Sequence, residues 1–171
     1  MLLKVPGIRH LSNDWIDSRT LITLKSLGEI GTVDWISIFK KNGVIYLDAR
    51  CPQLSKMRSI DLEKDQVSQM YSYDLKKSVG EIYIDMILEN AGEFTERQVL
   101  GIAMFAERHG GSHFLSSSYR NLFYTQEHVF NFVFDEDTSG WWVYTLRRGP
   151  NRWLRGDRIF RQFEDAPTVG A

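Results

Sequence analysis

The sequence has a single cysteine, Cys51, among 171 residues. One cysteine excludes an intramolecular disulfide and any zinc site built from cysteines alone, and it is typical of a reducing compartment. No apolar run reaches about 18 residues, the length of a membrane-spanning helix. The stretch from Met1 to Pro6 also lacks the continuous apolar segment of a secretory signal peptide. We therefore expect a cytoplasmic protein without a membrane span.

An excess of charge of one sign is missing as well. Lys plus Arg is 21 and Asp plus Glu is 22, for a net charge of −1, so no overall field draws the chain to polyanions or anionic lipids. The content of 43% hydrophobic and 25% charged residues is ordinary for a globular protein. Folding at this length buries about 70% of the extended surface. We expect one domain over residues 1–163 and a flexible tail over residues 164–171.

Secondary structure in the first half is predicted from residue spacing. Residues 19–26 alternate in a β-branched context, which favours a strand, with a helix as the alternative. The segments 33–39 and 44–47 flank Asn42-Gly43, a dipeptide that favours a tight hairpin turn. Residues 61–78 are charged and have apolar side chains near helical spacing, so they predict a helix. Residues 79–90 fit either a helix or a strand, and their length favours a helix.

The second half is predicted to contain one further helix and three strands. Thr95 and Gln98 have the spacing of a capping box before a helix that runs from 96 to about 108. Residues 129–134 and 141–146 alternate on either side of a turn, and residues 152–163 predict a last strand. The order of elements predicts an α+β fold with antiparallel sheets. An N-terminal and a C-terminal meander, each of three strands, would form the sheets, with two or three central helices packed on them.

Aromatic residues are what the chain has in excess. There are 22, or 13% of the sequence, and twelve of them fall between Tyr119 and Phe163. Strand alternation sends Trp141 and Trp142 to opposite faces, so one indole lies near solvent unless both faces are covered. Arg147 to Arg161 contains six arginines and one aspartate, a local charge of +5 within a chain of net charge −1.

Trp, Tyr and Arg together are typical of protein interface hot spots. Arginine beside aromatic rings is equally typical of grooves that bind single-stranded nucleic acid. A structural interpretation is also open, in which the rings form the core and the arginines pair with carboxylates such as Asp135, Glu136 and Asp137. The acidic remainder of the chain favours a protein partner over a polyanion. The candidate binding residues are Trp141, Trp142, Tyr144, Arg147, Arg148, Arg152, Trp153, Arg155 and Arg158.

No complete catalytic motif is present. The sequence therefore predicts a non-catalytic interaction protein, such as an inhibitor, an adaptor or an accessory factor, without a cofactor or a metal. Binding of single-stranded or structured nucleic acid by the same surface is the alternative. Exposed strand edges and aromatic rings also allow a homodimer.

A third hypothesis is a small hydrolase or a metal-dependent enzyme with a site near His109 and His113. Two histidines four residues apart share a metal when the backbone is helical, but Gly110 and Gly111 interrupt the helix here. Ser116 to Ser118 follow without a nucleophile motif. The turn from Asp135 to Gly140 matches the first half of a calcium loop. The position that requires glutamate holds Leu146, so an acidic hairpin turn is favoured.

Overall fold

The computed structural model describes residues 15–17, 20–24, 32–34, 45–47, 59–61, 64–87, 92–111, 113–137 and 139–162. Neither helix within these ranges has the length and hydrophobicity needed to cross a membrane. The elements in chain order are β1 (Thr20–Thr23), β2 (Thr32–Asp34), β3 (Ile45–Leu47), β4 (Ser59–Asp61), β5 (Gln69–Asp74), β6 (Val79–Gly80), α1 (Glu81–Ile87), α2 (Glu96–His109), β7 (Asn121–Tyr124), β8 (His128–Asp135), β9 (Gly140–Arg147), β10 (Arg152–Trp153) and β11 (Arg158–Gln162).

Seven of these strands form the main sheet, in the order β1-β5-β11-β7-β8-β9-β3. The pairs β11/β7 and β3/β9 are parallel, and the other four neighbouring pairs are antiparallel. Two further pairs of strands, β10 with β6 and β2 with β4, are antiparallel and lie outside the main sheet. The fold is therefore α+β with a mostly antiparallel sheet, as the sequence predicts.

Helix α2 covers one face of the main sheet. Its N-terminus is capped as predicted, because Thr95 Oγ1 accepts from the Gln98 amide at 3.1 Å and Gln98 Oε1 accepts from the Thr95 amide at 2.9 Å. The buried helix residues pack on phenylalanines of the sheet, and the rings of Phe123 and Phe160 stack at 4.3 Å. This core accounts for most of the buried aromatic rings. Its sheet residues include Phe123, Phe130, Phe132, Trp141, Val143 and Phe160.

The opposite face is covered by α1 together with β6 and β10. Val79, Ile84 and Trp153 from these elements are at most 1% exposed. They belong to a second core with side chains of the main sheet, including Leu122, Tyr124, Val129 and Ile159. The middle of the sheet is thus buried on both sides.

The prediction of a helix over residues 61–78 is wrong. Asp61 ends β4, and residues 69–74 form β5 in the interior of the main sheet, between β1 and β11. Met70 and Ser72 are buried and so is Tyr73 on the other face, with Tyr71 partly exposed. A strand covered on both faces does not show the alternation that identifies a half-buried strand, which is why helical spacing could be read into it. The segment 79–90 does contain a helix, α1, preceded by the two-residue strand β6.

The two predicted meanders are present only in part. The antiparallel β8–β9 hairpin is found, and Asp135 and Gly140 are its last pair. Strand β11 pairs with β5 and β7, and the predicted strand 152–163 is divided into β10 and β11. At the N-terminal end, β1 pairs with β5, β2 with β4, and β3 with β9, so these strands do not pair with one another. Asn42-Gly43 and residues 164–171 lie outside the described residues.

Candidate functional site

The nine predicted binding residues do not form one surface. Trp141 and Trp153 are 4% and 1% exposed, and they belong to the cores on opposite faces of the sheet. Trp142 is 40% exposed, and Tyr144 is partly buried. The expectation that one of the two neighbouring indoles lies near solvent is therefore confirmed, and the exposed one is Trp142.

Two of the predicted arginines are held by carboxylates. Arg148 donates from Nε to Glu81 at 3.2 Å and from Nη1 to Glu93. Arg158 donates to both oxygens of Asp74, at 2.7 and 3.2 Å. These partners are distant in sequence and are not the neighbouring acids of the 135–137 turn. Both arginines therefore have a structural role, because they link segments that are distant in the sequence.

The remaining predicted arginines, Arg147, Arg152 and Arg155, are exposed and form no ion pair with any residue that the structure describes. They lie in three places. Arg147 is opposite His128 at one end of the β8–β9 ladder, Arg152 lines a pocket beside Glu81, and Arg155 lines a second pocket. The segment of charge +5 is thus not a single basic patch.

Arg155 lines a pocket of about 280 Å³, which we call the Tyr119 pocket. The pocket lies where the turn between β10 and β11 meets the segment before β7, against the end of β8. Its lining residues are Ser117, Ser118, Tyr119, Arg120, Val133, Phe134, Leu154, Arg155 and Asp157.

The first wall of the Tyr119 pocket is fixed by Asn121, which is fully buried. Its Oδ1 accepts from the Ser116 amide at 2.7 Å, and its Nδ2 donates to the carbonyls of Ser116 at 2.8 Å and Phe132 at 2.9 Å. One buried amide therefore ties the start of the serine segment to β8. A buried side chain with this many partners holds its segment in one conformation.

The second wall is fixed by Asp157, which is 2% exposed. Its carboxylate accepts from the Leu154 amide at 2.8 Å, from the Arg120 amide at 3.3 Å and from Arg120 Nη2 at 2.5 Å. Gly156 has a φ of +94°, and a Cβ there would lie 2.5 Å from the ring of Tyr119. The turn thus requires glycine for its backbone and for the close approach of the ring. Asp157 joins the two walls.

The exposed indole of Trp142 lies beside this pocket. Trp142 is the cross-strand partner of Val133, which lines the pocket. Paired residues of antiparallel strands point to the same face. The indole Nε1 donates to Asp135 Oδ2 at 2.9 Å, which gives the ring a defined orientation.

Tyr144 is the next residue on that face. Its hydroxyl accepts from Asn131 Nδ2 at 2.6 Å. Burial raises the pKa of the Tyr144 phenol above its ordinary value; nearby Arg120 opposes this and Asp157 adds to it. The phenol is therefore neutral at physiological pH.

A larger pocket, of about 630 Å³, lies beside Glu81. Glu81 is 2% exposed, and its carboxylate accepts from Arg148 Nε at 3.2 Å, the Gly149 amide at 3.2 Å and Asn151 Nδ2 at 2.7 Å. Every donor comes from the loop after β9. Glu81 thus anchors that loop to the start of α1, which is a structural role.

The proposed enzyme site near His109 and His113 gains no support from the geometry. Both histidines are exposed, and their rings lie 4.7 and 5.7 Å from the ring of Phe105. The described residues contain no group of three His, Cys, Asp or Glu side chains that could hold a metal ion. Ser116 Oγ accepts from the Tyr119 amide at 3.3 Å, which is a turn contact rather than that of an activated nucleophile.

The acidic turn after β8 closes the hairpin. Asp135 Oδ1 accepts from the Asp137 amide at 3.1 Å, while Oδ2 accepts from Trp142. The carboxylate of Asp135 therefore holds the turn and the indole together. This agrees with the hairpin-turn interpretation and not with a calcium loop flanked by helices.

Of the nine residues that line the Tyr119 pocket, only Arg155 is among the predicted binding residues. Tyr119, Arg120, Leu154 and Asp157 are not among them. Leu154 could have been found, because alternation from a buried Trp153 places this apolar side chain outward, where it is 54% exposed. The role of Asp157 depends on Arg120, which is 37 residues away in sequence. Local patterns carry no information on that pairing.

Comparisons of the chain with models of known protein families, with curated proteins and with solved structures gave no match. Function must therefore be inferred from the site itself. The Tyr119 pocket combines fixed walls, exposed apolar side chains and a cation, which are features of a binding site.

Proposed function

We propose that this chain is a non-catalytic protein-interaction module, acting as an inhibitor, adaptor or accessory factor, that docks a protein partner through the Tyr119 pocket and its rim. One observation carries the proposal. Tyr119, Trp142 and Leu154 are 53%, 40% and 54% exposed, and they lie in or beside a pocket whose walls are fixed by hydrogen bonds of buried side chains. Exposed aromatic side chains beside arginine are typical of interface hot spots.

The charge on the rim indicates the chemistry of the partner. Arg155 follows Leu154 and lines the pocket, and it is exposed without an ion pair to any described residue. Electrostatic complementarity selects a partner whose surface carries the opposite charge at this place. We therefore expect a folded protein that presents acidic side chains within an apolar patch.

Nucleic-acid binding, the alternative, has less support. Arg148 and Arg158 are engaged by carboxylates. Arg161 is 2% exposed, and its guanidinium lies 4.4 Å from the ring centre of Tyr124. Half of the six arginines that suggested a phosphate-binding surface are thus occupied within the fold, and the other three are dispersed. A groove for a single strand needs cations and stacking rings along one track.

Site-specific photocrosslinking tests the docking proposal. A photoreactive amino acid replaces Leu154 in one variant and Leu21, which is 48% exposed on β1, in the control. We expect one crosslinked protein from the native cell extract with the variant at position 154 and none with the control. The captured protein is then purified, and its Kd is measured with Leu154→Ala, Tyr119→Ala and Leu21→Ala.

The expected result is a Kd at least about tenfold weaker for Leu154→Ala and Tyr119→Ala, with no change for Leu21→Ala. Circular dichroism before binding checks that each variant is folded. Equal Kd values for the three variants would overturn the proposal. A crosslink to a second copy of this chain would replace the proposed partner with self-association. Salt-sensitive binding of a single-stranded oligonucleotide that Tyr119→Ala abolishes would favour the nucleic-acid alternative.

A further inference from the structure

We infer that the Tyr119 pocket is a carboxylate subsite, which rests on the docking function proposed above and names what the partner inserts there. The subsite receives one aspartate or glutamate side chain. Arg155 pairs with the carboxylate, the hydroxyls of Ser117 and Ser118 donate to it, and Leu154 contacts its methylene groups.

The charged side chains that line the pocket differ in whether they are already paired. Arg120 is neutralised by Asp157, and its guanidinium lies 5.2 Å from the ring centre of Trp153. Asp157 is occupied in turn, because it accepts from two backbone amides and from Arg120. Asp157 therefore does not compete for Arg155, and an incoming anion meets one cation whose charge is not balanced by a described residue.

Hydrogen-bond donors stand beside that cation. Ser117 and Ser118 are exposed and line the pocket. Within the described part of the chain, neither hydroxyl has a hydrogen bond. An arginine with two hydroxyl groups supplies charge-assisted donors to a carboxylate. A phosphate group carries up to about two negative charges over three oxygens, so the single charge of Arg155 matches a carboxylate better.

The size of the pocket suits a single side chain. The pocket measures about 280 Å³, which is at the small end of the range of about 300 to 1,000 Å³ for small-molecule sites. Val133, Phe134 and Leu154 contribute apolar lining that matches the methylene groups of a glutamate or the Cβ of an aspartate. The acid would enter between Tyr119 and Leu154, which are the exposed large hydrophobic side chains of the lining.

The pocket is also formed before binding. The buried side chains of Asn121 and Asp157 fix its two walls through hydrogen bonds, and Arg120 donates to Asp157. A preformed site loses little conformational freedom on binding, so even a short ligand can bind measurably. This makes a test with a minimal probe practical.

The probe is N-acetyl-glutamate N-methylamide, followed by amide and arginine side-chain NMR shifts of the full chain. We expect saturable shifts at Ser117, Ser118 and Arg155 with a Kd in about the millimolar range. The glutamine analogue is the matched ligand, and it should cause no saturable shift. Arg155→Gln should weaken binding at least about tenfold, whereas Arg147→Gln, another exposed arginine, should leave it unchanged.

Equal binding of the glutamate and glutamine probes would overturn the inference, as would wild-type affinity in Arg155→Gln. Tighter binding of inorganic phosphate at the same resonances would overturn it in favour of a phosphate site. The docking function fails separately. Suppose that Leu154 crosslinks a partner, that Arg155→Gln leaves the Kd of this partner unchanged and that the probe does not bind. The docking function is then supported and the carboxylate subsite is refuted. If the probe binds but no partner is crosslinked, the docking function is refuted and the carboxylate site is retained.

Discussion

The two faces of the β8–β9 hairpin are covered to different extents. On the face toward α2, Phe130, Phe132, Trp141 and Val143 are all at most 4% exposed. On the other face, Val129 and Asn131 are buried, but Val133 and Tyr144 are partly exposed and Trp142 is 40% exposed. The same two strands therefore contribute to a closed core on one side and, toward the hairpin turn, to an accessible surface on the other.

The lengths of the covering elements explain the difference. Helix α2 has 14 residues, which span about 21 Å at 1.5 Å per residue. The other face is covered by α1, of seven residues, and by β6 and β10, of two residues each. This shorter cover protects the middle of the sheet and ends at the turn that carries Leu154 and Arg155. The candidate site thus lies at the edge of the region that α1, β6 and β10 cover.

The largest expected effect is on the closed face. Phe132→Ala removes a fully buried ring whose centre lies 4.8 Å from that of Phe123, so the free energy of unfolding should fall by about 3 to 5 kcal/mol. Trp142→Ala on the open face should lower it by less than about 1 kcal/mol, since it removes an exposed ring and its hydrogen bond to Asp135.

Urea unfolding followed by circular dichroism measures both variants, because the loss of an indole alters fluorescence. A loss of similar size for the two substitutions would break the contrast between the faces. It would mean that Trp142 is part of the core rather than of a binding surface.

A second substitution tests whether the wall of the Tyr119 pocket is a built structure. Asp157→Ala removes the acceptor of the Leu154 amide and of Arg120, and buried or partly buried donors then lose their partner. The free energy of unfolding should fall by about 2 to 3 kcal/mol. Asp137→Ala, an exposed acid in the hairpin turn, is the matched control, and it should change stability by no more than about 0.5 kcal/mol. If the two aspartates proved equivalent, the pocket walls would not depend on Asp157.

Local patterns predict the elements of this fold better than their partners. The capping box at Thr95, the β8–β9 hairpin and the exposure of one of the two indoles at positions 141 and 142 all follow from spacing over a few residues. Strand β5 was missed because both of its faces are covered, so its side chains do not alternate between apolar and polar.

The arginines show the same limit for the site. Their number and spacing are visible in the sequence, but their partners are not. Arg148 finds Glu81 across 67 residues, and Arg158 finds Asp74 across 84. Only the long-range pairing of strands decides which cations are balanced. The sequence therefore predicts a basic segment of six arginines. At the pocket, only the charge of Arg155 is not balanced by a described carboxylate.

The smallest expected effect concerns pH and the open face. Burial raises the pKa of Tyr144 in the folded chain, so the unfolded chain loses the phenolic proton first, near the ordinary pKa of about 10. The stability contributed by this group is complete below that pH and is lost as the pH rises toward the folded pKa. Tyr144→Phe removes this loss. The variant should be less stable at neutral pH, since Asn131 Nδ2 loses its acceptor, but its stability should fall less steeply at alkaline pH.

Urea unfolding of both proteins from about pH 8 to about pH 11 measures the two slopes, and tyrosinate absorbance of the wild type minus the variant follows the Tyr144 proton itself. Two results would show that Tyr144 is as exposed to water as the rim of the Tyr119 pocket: stability curves of the two proteins that run parallel, or a Tyr144 phenol that titrates at its ordinary pKa. The boundary between the closed core and the open surface would then lie deeper in the sheet. A steeper wild-type curve places that boundary between Trp142 and Tyr144, two residues apart on one strand.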